Sequence, residues 1–107
     1  MAYNKETEMY EGYIYCIENQ ANGKKYIGQT TVTIQQRYNH HLTESRRELP
    51  RWAIQRAIKK HGKENFSVTE LLKCEANNLN ELRTILNKFE IYFIQYYHSM
   101  IDECGYN

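Results

Sequence analysis

The sequence predicts a small mixed α/β domain of the α+β kind, with elements in the order β, β, α, α, β, α. Three observations carry that prediction. Tyr13-Ile14-Tyr15 and Tyr26-Ile27-Gly28 are strand-like runs ten residues apart. Helical periodicity follows in residues 33–62 and returns after Asn78. A third strand-like run, Phe66 to Cys74, separates the two helical stretches.

Each element has a local reason. Residues 1–11 are polar and acidic and read as an N-terminal arm, ordered only where something holds it. From Gly12, Tyr13, Tyr15 and Ile17 alternate with Ile14 and Cys16, the period of a strand with two distinct faces. Glu18 to Gly23, closed by Asn22-Gly23, reads as a hairpin connection. Lys24 to Gln29 returns as the second strand, and pairing brings Tyr15 and Tyr26 towards one site. Thr33 and Gln36 have capping-box spacing, so a helix starts there. Its buried stripe is Ile34, Tyr38 and Leu42. Arg37 and His41 stand one turn apart on a neighbouring face. Pro50 suits the first turn of a second helix and Gly62 its end. That helix turns Ile54, Ala57 and Ile58 inward and leaves Arg51, Arg56, Lys59 and Lys60 outward. Asn77-Asn78 precedes a long helix over about 79–98, whose apolar stripe includes Leu82, Leu86, Phe93, Ile94 and Tyr97. Glu90 projects into that stripe, where a lone carboxylate is costly unless paired, protonated or metal-bound.

Length and composition bound the class. At 107 residues the chain makes one domain with a modest core. Glycine and proline are too sparse for extensive disorder. No apolar run reaches the ~20 residues of a membrane-spanning helix, so no membrane partner is expected. Residues 1–11 contain no signal-peptide core. The expectation is a cytoplasmic protein, or one in the host cytoplasm if a phage or virus encodes it. Cys16, Cys74 and Cys104 have neither zinc-site nor Cys-x-x-Cys spacing and read as free thiols.

Net charge is only +1, but it is unevenly placed. Residues 24–63 carry ten basic side chains against two acidic ones; the rest carries four against eleven. Such segregation creates a positive face suited to a phosphate backbone. Lys24, Lys25, Arg46, Arg47, Arg51, Arg56, Lys59 and Lys60 are the candidates for contacts that position nucleic acid without reading its sequence. The plainer reading is a solvated helix surface.

Two phenols, a guanidinium and an imidazole therefore gather in the first half of the chain. Phosphodiester hydrolysis needs a group that takes a proton from water, a group that holds the charge growing on phosphate, and a place for a metal ion. Glu90 is the candidate metal ligand. Each residue also has an ordinary account. One tyrosine among ten is more often packing than catalyst. Arg37 could hold a weak surface pair, and either His40 or His41 could face the site, the spacing from Arg37 favouring His41. Glu90 has the weakest ordinary account.

Five segments in order resemble the GIY-YIG nuclease superfamily. They are Tyr13-Ile14-Tyr15; Tyr26-Ile27-Gly28; Arg37 with His41; Ile58-Lys59-Lys60-His61-Gly62 followed by Phe66-Ser67-Val68; and Glu90 ahead of Gly105-Tyr106-Asn107. The resemblance spans Gly12 to Asn107, and residues 12–107 are read as the catalytic domain. Tyr13 stands where the first signature usually has glycine, and Gly12 lies one residue earlier.

The resemblance implies a three-stranded antiparallel sheet flanked by helices and divalent-metal-dependent cleavage of DNA, most simply duplex. It implies catalytic roles for Tyr15, Tyr26, Arg37, His41, Glu90 and Asn107, with Glu90 holding Mg²⁺ (or Mn²⁺). Tyr15, its proton drawn towards His41, would activate water, Arg37 would brace the phosphoryl oxygens, and Tyr26 would orient the water or Tyr15. Many relatives continue into a separate DNA-recognition domain, so the chain is expected to be either a catalytic module of a longer protein or a small stand-alone enzyme. A monomer or weak dimer is expected. The alternative is a non-catalytic nucleic-acid-binding module on the same scaffold. Covalent attack by a tyrosine and a protein-interaction domain are further rivals.

Overall fold

The computed structural model describes residues 2–101 and 103–107. Its centre is β2 (Met9–Asn19), an 11-residue strand flanked antiparallel by β3 (Lys25–Thr30) and β4 (Phe66–Ala76). A two-residue strand, β1 (Tyr3–Asn4), extends the sheet to four strands. The helices are α1 (Ile34–Ser45), α2 (Ala53–His61) and α3 (Leu79–Tyr97). The mixed architecture and antiparallel sheet are those the sequence predicts.

The alternation along β2 divides the core. Ile14 and Cys16 face Ile27, Cys74, Leu82 and Leu86 beneath α3. Tyr15 and Ile17 face Ile54, Ala57, Ile58 and Phe66 beneath α2, with Ile34, Tyr38 and Leu42 of α1 packed alongside. Helices thus cover both faces of the sheet. Fully burying each of Ile14, Ile17, Ile27, Ile54, Leu82 and Leu86 contributes roughly 1.5–3 kcal/mol before chain entropy is counted.

The ends follow their local chemistry. Thr33 forms the expected capping box with Gln36. Asn78 caps α3 by accepting from the Glu81 N–H. Gly62 closes α2 with φ of 89°, a conformation glycine adopts without strain. The β2–β3 turn comes at Asn22-Gly23, where Gly23 has φ of 75°.

Three boundaries differ from the sequence reading. The central strand begins at Met9 and not at Gly12, and residues 3–11, expected to be ordered only where something holds them, are held against the sheet. Tyr3 pairs with Tyr10, their rings meet edge to face at 5.1 Å, and Asn4 donates to Glu11 at 3.0 Å. None of these contacts has an apolar period, so periodicity could not reveal them. The second helix begins at Ala53, because the Pro50 and Arg51 carbonyls accept from Arg56 Nη1 at 3.2 and 2.8 Å and fold residues 50–52 into a loop. Finally, β4 continues to Ala76, since its end pairs with the extra length of β2 at Tyr10.

Candidate active site

Tyr15 sits at the middle of β2, opposite Gly28 on β3. That pairing decides the geometry. A Cβ at Gly28 would collide with Cζ and Oη of Tyr15 and stand 2.9 Å from Tyr26 Cε2. Only glycine leaves the phenol its room. On the other side of β2, the register with β4 slips between Ile14 and Tyr15, leaving Leu71 as an extra residue. Such a bulge bends a strand and re-aims its side chains. Tyr15 is 1 % exposed, and Tyr26 is half-buried beside it with ring centroids 6.3 Å apart.

Helix α1 supplies the next two groups. His41 is wholly buried, and its Nε2 lies 2.9 Å from Tyr15 Oη. His40 is exposed, so His41 is the imidazole that faces the site. Arg37, one turn earlier, acts electrostatically on Tyr15, Tyr26 and His41. Its guanidinium lies over the Trp52 ring, 5.4 Å from the centroid, and makes no salt bridge among the described residues.

Glu90 comes from α3, which packs on the opposite face of the sheet. It is half-buried, and its charge is felt by both Tyr15 and Tyr26. Burial raises its carboxyl from the ordinary value, opposed by the neighbouring Gln29 amide, whose Nε2 donates to Asn87 Oδ1 at 2.7 Å. Among the described residues it has no salt-bridge partner. The late carboxylate thus lies within electrostatic reach of the two early phenols.

Burial governs the other titrations. It raises the Tyr15 hydroxyl despite the lowering effect of Arg37, and it raises Tyr26 as well. Burial, then Arg37 and His40, push His41 down to about 4, so its imidazole is neutral at pH 7. Both phenols are protonated in the free protein.

Asn107 has a different kind of place. Its side chain donates to the Ile27 carbonyl at 2.7 Å and accepts from the Ile27 N–H at 2.8 Å and from Ser99 Oγ at 2.7 Å. The amide is engaged in clamping the C-terminal segment to β3.

The basic candidates separate into three groups. Lys24, Arg46, Arg51 and Lys60 are exposed and make no salt bridge among the described residues. Arg56 and Lys59 instead bind main-chain carbonyls of residues 47–51. Arg47 pairs with Glu44 at 3.0 Å, and Lys25 with Glu18 at 3.3 Å. Arg51 and Trp52 border two adjoining clefts, of about 180 and 380 Å³, which also take in Arg37 on one side and Tyr26 on the other.

Three residues escaped the sequence reading. Gly28 was legible as part of the second signature, but its service to Tyr15 needed the register. Trp52, the single tryptophan, is 43 % exposed, lies 5.7 Å from His41 between ring centroids, and supports Arg37. Gln55 is buried with its amide 3.3 Å from His41 Nδ1. The inward periodicity of α2 could have found Gln55 as a polar residue beside Ile54; nothing local marked Trp52.

The fold and this cluster define a nuclease-type catalytic domain, and comparison gives the family directly. The GIY-YIG catalytic domain matches residues 11–103, and the chain belongs to that family. Uncharacterized protein 019R of Invertebrate iridescent virus 6 is 40% identical over 74 residues, 69% of this chain and 26% of that protein. Putative MSV199 domain-containing protein 146R of the same virus is 31% identical over 81 residues, 76% of this chain and 33% of that protein. The chain therefore spans about a quarter to a third of these curated relatives.

Two solved structures share the fold. The catalytic domain of intron endonuclease I-TevI, in a mutant form, superposes with a TM-score of 0.72 at 24% identity, covering 91% of this chain and 92% of that one. The catalytic domain of homing endonuclease I-TevI gives 0.69 at 21% identity, covering 88% and 96%. Among the described residues, no helix is long and apolar enough to cross a membrane.

Proposed function

We propose that this chain is a divalent-metal-dependent DNA endonuclease that hydrolyses phosphodiester bonds with water. The observation that supports this reading best is the convergence of Tyr15, Tyr26, Arg37 and His41 with the electrostatic reach of Glu90. Five ionisable groups from four elements, two of them buried, would be an expensive way to make a core.

The donor set suits a hard ion. No group of three or more His, Cys, Asp or Glu side chains is placed to hold a metal among the described residues, which is unlike a structural zinc site. One half-buried carboxylate without a cationic partner is what Mg²⁺ needs from a protein when waters and phosphate complete its shell. Glu90 would hold Mg²⁺ (or Mn²⁺), which when bound supplies Lewis-acid charge at the scissile phosphate and the leaving 3′ oxygen.

The remaining roles belong to the chain's own groups. The Tyr15 oxygen takes a proton from the attacking water. Tyr26, beside it, orients that water. Arg37, steadied on Trp52, directs its planar fork at the phosphoryl oxygens as charge grows there. Exposed Lys24, Arg46, Arg51 and Lys60 bind backbone phosphates. Lys25, Arg47, Arg56 and Lys59 add to the same positive field while keeping their intramolecular partners.

The substrate is DNA, most simply duplex, and one such site cuts one strand at a time. A monomer or weak dimer suffices, and sequence choice falls to a separate recognition domain. A plasmid-nicking assay with and without Mg²⁺ tests the proposal. Glu90→Ala and Tyr15→Phe should abolish nicking yet retain DNA binding. Unchanged nicking by Glu90→Ala overturns the site assignment. A wild-type protein that shifts DNA but never nicks it is the non-catalytic binder.

A further inference from the structure

Gln55 is 3 % exposed and one of the few polar side chains inside the core. It comes from α2, adjacent to Ile54 and Ala57, and its Nε2 lies 3.3 Å from His41 Nδ1. On the far side of the same ring, His41 Nε2 lies 2.9 Å from Tyr15 Oη. The three side chains form one line: amide, imidazole, phenol.

An amide nitrogen only donates, so Nδ1 must accept and cannot carry the proton of a neutral ring. That proton then resides on Nε2 and points at Tyr15. The rest of the amide agrees. Among the described residues, Gln55 Oε1 is buried without a hydrogen-bond partner. Turning the amide over would put two N–H donors into that place, and buried orphan donors are tolerated less than under-satisfied carbonyls.

We propose that Gln55 is a positioning residue that fixes His41 in its Nε2–H tautomer, so that His41 donates a hydrogen bond to the Tyr15 oxygen rather than accepting its proton. The inference rests on the nuclease reading for its catalytic meaning, but not for its geometry. The sequence reading drew the Tyr15 proton towards His41; here the direction is reversed.

The electrostatics around the ring favour this sense. His41 faces Arg37 and His40 from its own helix, Tyr15 and Tyr26 from the sheet, and Trp52 and Gln55 from the loop and α2. No carboxylate among these groups would welcome a second proton on the ring. As a donor, His41 stays neutral throughout. Tyr15 gives its own proton to solvent before attack, then takes one from the attacking water as the hydroxide forms. The negative charge that Tyr15 carries in between is held by the His41 Nε2–H and by Arg37. A neutral imidazole acting as hydrogen-bond donor is established chemistry in other active sites.

Long-range ¹⁵N–¹H NMR of the imidazoles in the whole chain at pH 7 tests this directly. Wild-type His41 should show Nε2 protonated and Nδ1 bare. Gln55→Leu should lose the single tautomer and become a mixture. Gln55→Glu, which offers an acceptor, should bring a proton onto Nδ1. Nicking by Gln55→Leu should fall about 10–100-fold, the size typical of a residue that orients a functional group through another. A wild-type ring protonated on Nδ1, or an unchanged Nε2–H ring in Gln55→Leu, overturns the proposal. Should neither variant fold, the wild-type spectrum decides alone. A protein with the Nε2–H ring that never nicks DNA refutes the nuclease reading and leaves the role of Gln55 standing.

Discussion

Replacing Gly28 with alanine sets two physical effects of opposite sign against each other. Glycine inside a strand costs roughly 0.5–1 kcal/mol relative to alanine, so backbone entropy alone predicts that Gly28→Ala stabilises the domain. Sterics predict the reverse. The new methyl group would overlap Tyr15 Cζ and Oη, and neither the phenol nor the strand pairing behind it can yield freely. Overpacking of this kind costs about 1–3 kcal/mol, enough to outweigh the entropic gain. Mid-range values leave a net loss of about 1 kcal/mol, which for a domain of this size lowers Tm by roughly 4–8 °C. Displacing the Tyr15 oxygen by about 1 Å would also slow nicking by about 10²-fold. Urea and thermal unfolding give the first quantity, and the plasmid assay gives the second. In the double variant with Tyr15→Phe one of the overlapping atoms is gone, so the stability loss should be less than the sum of the single losses. A Gly28→Ala protein as stable and as active as wild type refutes the claim that this glycine makes room for the phenol.

Four further outcomes follow from the same geometry. The buried His41 is harder to protonate folded than unfolded, so the unfolded chain binds the extra proton between the ordinary value of 6.5 and about 4. Stability should be full above that window and fall as pH drops through it, by up to about 3 kcal/mol, and His41→Asn should flatten the profile. Glu90 has the opposite sign, since burial raises its carboxyl; Glu90→Gln should stabilise the fold at pH 7 by about 0.5–1 kcal/mol while abolishing nicking. Trp52→Ala should remove the platform under Arg37, slow nicking about tenfold and leave Tm nearly unchanged, with Trp52→Phe recovering part of the rate. Arg51→Ala should reduce the log–log salt slope of DNA binding by about 1, whereas Arg56→Ala should chiefly lower Tm, because its guanidinium holds the Pro50 and Arg51 carbonyls.

What could be read from the chain alone depended on the range of the interactions involved. Local patterns were reliable: the Thr33–Gln36 cap, the Asn22-Gly23 turn, the alternation along β2 and the apolar stripe of α3 all concern residues within a few positions of one another. The residues that meet at Tyr15 were legible because their types suit one chemistry and their order resembles a known family. Roles set by contacts across the fold were not. The hairpin of residues 3–11 is held by strand pairing, an aromatic pair and the side-chain hydrogen bonds of Asn4, which carry no period. Gln55 lies 14 positions from His41, and Asn107 grips Ile27 from 80 positions away. For Arg56 and Lys59, charge suggested a phosphate contact, and the carbonyls they bind became visible only in three dimensions.

The placement of Glu90 on the helix behind the sheet has a consequence for the newly made chain. A ribosome that has synthesised as far as Lys88 has already released both phenols, Arg37 and His41, but not the carboxylate. Even after Glu90 emerges, its charge acts on Tyr15 only once α3 has docked on the far side of β2. On the nuclease reading proposed above, cutting power would arrive only with the docked helix, and an unravelled copy would be harmless to the genome around it.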